Sequence, residues 1–149
     1  MTEIQALLLI KSILESADIH GIENILAEDC EYMSTGRGII GRNRNESIEF
    51  LSSMTESIKA DNVPVTCKVM HITDVYEEDA LFHEGRHGLT VSYESSDNYV
   101  YMIFVDVNDE GLVDRIVSSQ ENYSIEYDDL RFGDDESEYA FISAPTTVK

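Results

Sequence analysis

Val63-Pro64-Val65-Thr66-Cys67-Lys68-Val69-Met70 is the stretch on which the fold class turns. Val63, Val65, Cys67 and Val69 alternate with Pro64, Thr66, Lys68 and Met70, the two-residue period of a strand with one drier face. Before Asp61-Asn62 the period is that of helices. Thr2-Glu3-Ile4-Gln5 opens with a capping-box pattern, and Ile4, Leu7, Leu8, Ile10, Leu14 and Ala17 follow at mostly helical spacing, predicting a helix to Ala17. Gly21 interrupts it, and Ile22, Ile25 and Leu26 predict a second, shorter helix ending before Asp29. Cys30 to Ser34 reads as a short strand. Thr35 to Gly41, with Gly36, Gly38 and Gly41, reads as a loop or edge hairpin. Asn43 and Glu46 then start a third helix that carries Ile48, Leu51, Met54 and Ile58 on one face.

Beyond the deciding stretch, three more strands are expected: Ala80 to Tyr93, Tyr99 to Val107, and Leu112 to Glu121. The breaks between them, Glu77-Glu78-Asp79, Glu94 to Asn98 and Asn108-Asp109-Glu110-Gly111, are polar and short enough for hairpins. Helices first and a strand meander afterwards is an α+β arrangement, with three N-terminal helices covering one face of a curved, mainly antiparallel sheet. From Glu126 to Glu138 the composition changes to seven acids and one base, Arg131. The chain therefore divides into a domain over 1–125 and an acidic C-terminal extension over 126–149, solvated except where Tyr139, Phe141 and Ile142 offer an apolar cluster for docking.

A chain of 149 residues with 42% apolar residues builds one core. Thirty acids against ten bases leave a formal charge of −20, which repels phosphate and argues against nucleic acid or an anionic membrane as partner. The longest apolar run, Ala6 to Ile10, is far short of a membrane span, which takes roughly 20 residues. With only Cys30 and Cys67, and no basic-then-apolar leader pattern, a reducing, cytoplasmic setting is expected.

Several segments resemble one superfamily in the same order. Ser16-Ala17-Asp18-Ile19-His20-Gly21-Ile22-Glu23-Asn24-Ile25-Leu26-Ala27-Glu28-Asp29-Cys30-Glu31-Tyr32 looks like the second helix and first strand of NTF2-like (SnoaL-like) proteins. Gly41-Arg42 with Ile48, Phe50 and Leu51 resembles the start of their third helix, His71 to Ala80 their first long hairpin, and Gly111-Leu112-Val113-Asp114-Arg115-Ile116 their final strand. The resemblance spans Glu3 to Tyr123. It implies a cone-shaped α+β domain with a cavity between sheet and helices, and relatives as varied as polyketide cyclases, dehydratases, ketosteroid isomerases, epoxide hydrolases and non-catalytic binding domains. Fold does not choose among these. Related domains commonly pair through the outer sheet face, and Val100, Met102 and Phe104 would make that face apolar, so a two-fold homodimer is expected.

His83-Glu84-Gly85-Arg86-His87 matches the H-E-x-x-H of zinc peptidases in letters alone. That motif needs a helix, but Gly85, Gly88 and the strand-forming Leu89-Thr90-Val91-Ser92-Tyr93 argue for extended chain, where the two histidines lie about 13 Å apart. No metal site is expected. Strand parity groups Leu81, His83, His87, Leu89 and Val91 on the drier face unless a bulge at Gly85 flips the register. It adds Val65, Cys67, Val69 and His71 from the neighbouring strand. A hairpin centred near Glu78 brings His71 closer to His83 than to His87, and one centred near Ser96 brings Tyr101 to the His87 end.

His71 ranks first as the functional histidine, because the resemblance places a pocket histidine there. The candidate acid–base set is His71, His83, Tyr32 and Asp106, since imidazole suits proton transfer near neutral pH and a carboxylate or phenol would assist it. His87, Tyr101, Val69 and Glu121 are the candidate ligand contacts. Arg37, Arg42 and Arg44 cluster around the third helix's start, either as a carboxylate clamp or as a solvated loop. The two cysteines lack the spacing of a redox pair or metal knuckle, and no cofactor is expected. The preferred expectation is a pocket for a small hydrophobic molecule. The alternatives are a lyase or isomerase with a histidine base, and a protein-interaction domain.

Overall fold

The computed structural model describes residues 1–34, 37–62, 64–75, 83, 85–93, 100–118 and 130–134. Helix α1 (Glu3–Ser16) starts on a complete capping box: Gln5 N–H donates to the Thr2 hydroxyl and the Thr2 N–H donates to the Gln5 side chain. It stops at Ala17, which turns left-handed at φ 56°. The expected second helix is a single 3-10 turn, Ile22–Asn24, so the described residues form two α-helices where three were expected. The next element accounts for this. Strand β1 (Leu26–Ser34) begins four residues before the expected Cys30, because Leu26 pairs with Val113 and the ladder outcompetes a helix that could make few turns.

Strand β2 (Gly38–Gly41) folds back on β1 as the edge hairpin. Helix α2 (Arg44–Asp61) is capped by Asn43, which accepts from Glu46 N–H, while the Glu46 carboxylate accepts from Arg42 N–H. Strands β3 (Val65–Val75), β4 (His87–Tyr93), β5 (Val100–Val107), β6 (Val113–Ser118) and β7 (Leu130–Asp134) complete a sheet of order β2-β1-β6-β5-β4-β3-β7. Only β1 and β6 run parallel among these neighbours. Strand β7 falls inside the stretch expected to be solvated extension, so that piece of it belongs to the sheet. No helix among the described residues is long and apolar enough to cross a membrane.

One face of the sheet packs on the helices. Cys67 and Val69 of β3, Leu89 and Val91 of β4, Ile103 and Val105 of β5, and Ile116 of β6 are buried there with Leu7, Ile10 and Leu14 of α1 and Leu51 of α2. Burial of this set is the main stabilising term, at about 1.5–3 kcal/mol for each large side chain. The other face is dry as well near its centre: Ile72, Met102, Phe104 and Val117 are buried. Because Phe104 is 0% and Met102 1% exposed within their own chain, they form no open apolar patch of the kind that motivated a dimer.

Candidate functional site

Register decides which polar groups meet on the helix-facing side. Strand β3 pairs with β4 so that Val69 opposes Leu89 and His71 opposes His87. The two imidazoles are therefore cross-strand neighbours, their ring centroids 6.2 Å apart and tilted by 50°. This corrects the expectation that His83 would be the nearer partner of His71. A bulge at Gly85 explains the difference. Gly85, at φ 87°, donates its N–H to Ile72 O, while Ile72 N–H donates to Arg86 O, so two residues face one. Arg86 N–H closes a turn back onto His83 O, leaving His83 in a turn ahead of β4 and outside the His87 row.

A carboxylate from α1 completes the cluster. Glu3 Oε1 accepts from the His87 backbone N–H at 3.0 Å and lies 3.0 Å from His87 Nδ1. Burial opposes ionisation of Glu3, but the bonds from the His87 ring and backbone, with the Arg86 charge nearby, outweigh it and hold the carboxyl below its ordinary range. Both side chains remain reachable, at 31% exposure for Glu3 and 23% for His87. Sequence reasoning gave Glu3 a capping role only. Its place in the first helical turn was legible, but the strand it meets depends on the fold.

The other candidates are placed elsewhere. Val69 is fully buried in the wall two residues from His71. Tyr32 faces the helices but is 0% exposed, its ring 4.6 Å from that of Phe50 and tilted by 53°, with its hydroxyl 3.5 Å from the Met54 sulfur, which makes it core. Tyr101 opposes Val91, four residues from His87, because a pairing centred on Ser96 gives that register and not the expected one. Asp106 lies on the outer face, since Val105 next to it faces the helices. There it pairs with Arg86 at 2.9 Å, and Arg115 is 3.9 Å away. Glu121 lies outside the described residues.

Arg86, which strand parity sets on the wetter face, is 6% exposed on the outer side, its guanidinium 5.6 Å from the Phe104 ring centre and bonded to Val105 O. Its partner Asp106 also lines an outer groove of about 540 Å³, whose walls include Asp29, Glu31, Arg42, Asp114 and Arg115. Partial burial, then the charges of Asp106 and Asp29, push the Asp114 carboxyl up. An apolar ligand has little to gain there.

No family model matches the chain, and no curated protein matches it in sequence. Solved structures do match. An uncharacterized bacterial protein with a cystatin-like fold from Silicibacter pomeroyi superposes with a TM-score of 0.53 at 14% identity, over 76% of this chain and 72% of that one. An NTF2-like protein of unknown function from Cytophaga hutchinsonii gives 0.51 at 12% identity, over 80% and 98%. The fold is NTF2-like. An LEH-like epoxide hydrolase of M. tuberculosis is similar over 94% of this chain and 95% of that one, at 14% identity and a TM-score of 0.47. At these identities the likeness is one of fold. In the NTF2-like frame, the His71–His87–Glu3 row lies between the sheet and α1.

Proposed function

We propose that this NTF2-like domain binds a small, largely apolar molecule between its sheet and helix α1, with the imidazoles of His71 and His87 as the polar contacts. The observation that carries this reading is the cross-strand pair of histidines, one of them anchored by Glu3, partly exposed beside the apolar wall of Val69, Leu89 and Val105. A few placed polar groups on an apolar wall are what orient a small ligand. The test is a thermal-shift screen of apolar compounds carrying one polar group, followed by calorimetry on His87→Ala and His71→Ala. Hits whose affinity falls roughly tenfold or more in either variant support it, on the usual worth of a hydrogen bond in a desolvated site. Hits indifferent to both substitutions sink it.

The carboxylate–imidazole pair favours a second reading, a cofactor-independent lyase or isomerase. Glu3 would orient His87 through Nδ1 and stabilise the imidazolium formed when Nε2 takes a proton from the substrate. Retained ligand affinity in Glu3→Gln with loss of turnover would separate catalysis from binding.

A further inference from the structure

One edge of the sheet is only half covered. Strand β7 pairs with β3 from Val75 back to Met70, and among the described residues no strand lies beside Val65–Val69 on that side. A free row of strand N–H and C=O groups is a template on which another chain can build. Here the middle of the row is already taken. Glu15, in the last turn of α1, reaches the edge, and its Oε2 accepts from Cys67 N–H at 3.0 Å. The bond also gives the direction of the strand. Cys67 N–H points away from β4, so by the alternation of an antiparallel ladder Val65 and Val69 present their backbone groups to the same side. On β1 a side chain of α2 acts alike: Cys30, at a point where neither β2 nor β6 pairs with it, has its carbonyl oxygen accepting from the Ser47 hydroxyl at 2.9 Å.

We propose that Glu15 is an edge guard, which keeps the open half of β3 from pairing with the same segment of a second copy of this chain. An incoming strand would set its own carbonyl oxygen against the Glu15 carboxylate, acceptor against acceptor, while Cys67 N–H stays occupied. A second copy is the occupant that fits, because the segment is self-complementary when laid antiparallel about Cys67. Val65 then opposes Val69 and Thr66 opposes Lys68, so no like charges face each other. Such pairing is two-fold and joins two sheets into one. The net charge of −20 on each chain opposes association of any kind, so the guard is tested in high salt, where that repulsion is screened. The proposal is independent of the ligand site.

The experiment compares the full chain with Glu15→Ala, Glu15→Gln and the double variant Glu15→Ala/Val65→Pro, by light scattering over a concentration series in about 0.5 M salt. Hydrogen exchange of the Cys67 amide is followed in dilute solution. Glu15→Ala should reach about twice the mass of the unmodified chain as concentration rises. Glu15→Gln keeps an oxygen acceptor and should match the unmodified chain. Val65→Pro deletes an outward N–H at the first residue of β3 and leaves the β4 ladder intact, so the double variant should return to the unmodified mass. That reversal separates pairing at the edge from a general loss of stability. The Cys67 amide should exchange about tenfold faster in Glu15→Ala than in the unmodified chain. Unchanged exchange would mean that another group covers the edge, and the proposal fails. It fails equally if Glu15→Ala keeps the unmodified mass, if Glu15→Gln associates as strongly as Glu15→Ala, or if the double variant still associates.

Discussion

At the scale of single residues, the structure turns on where protons sit. Glu3 has its folded-state pKa held below 4.5, so its contribution to stability is fully present above that value and is lost as pH falls through the lower folded value. Glu3→Gln should therefore cost about 1 kcal/mol at pH 7, a modest figure because the group is partly exposed, and progressively less below pH 4.5. Urea titrations of both proteins at several pH values check this, and a cost that grows towards acid would contradict it. The two cysteines make the opposite case. Burial first, then nearby Asp114 for Cys30 and Glu15 for Cys67, push both thiols up to about 12. Neither should react measurably with Ellman's reagent at pH 8 in the folded protein, and both should react in denaturant, since the thiolate is the nucleophile.

Among the elements, the legible parts were those fixed by local chemistry. The capping residues Thr2, Gln5 and Asn43, the switch from helical to alternating period, and the pairing centred on Ser96 all derive from near neighbours in sequence. The 3-10 turn at Ile22–Asn24 and the early start of β1 did not, because Leu26 answers to Val113, which lies far along the chain. The Gly85 bulge was foreseen as a fork, not as an outcome. Its effect is that His83 drops out of the His87 row, while Arg86 and His87 keep the faces that parity gives them, so one inserted residue decides which histidine stands beside His71. Helix α1 is tied to the sheet at its other end too, where Glu15 accepts from Cys67 N–H. Just after the bulge, Gly88 permits close approach: a Cβ there would lie 2.7 Å from the Phe104 ring and 2.9 Å from Met102 Cε. Gly88→Ala should destabilise by about 1–3 kcal/mol through overpacking. Gly85→Ala meets nothing within 4 Å but must hold φ 87°, costing about 1–2 kcal/mol in backbone strain. A Phe104→Leu background should relieve the first and leave the second, and equal rescue of both would refute this assignment of causes.

For the whole molecule, the instructive case is the outer face of β5. Alternation correctly places Met102 and Phe104 on the side away from the helices, but parity says which residues share a face and not what lies over them. An apolar face read from sequence is equally compatible with a partner subunit and with burial inside the chain. The two differ in how stability depends on concentration. If Phe104 were sealed by a second copy, removing it would weaken association, and the melting temperature of the unmodified protein would climb with protein concentration. Instead Phe104 is 0% exposed in the single chain, with Gly88 beneath its ring and the Arg86 guanidinium against it. Phe104→Ala should then cost about 3–5 kcal/mol, the usual penalty for emptying a buried aromatic site. The loss should be the same at about 5 μM and about 500 μM protein, when denaturant midpoints are compared for both proteins at both concentrations. A midpoint that shifts with concentration in the unmodified chain, and ceases to shift in Phe104→Ala, would return this side chain to an interface between subunits.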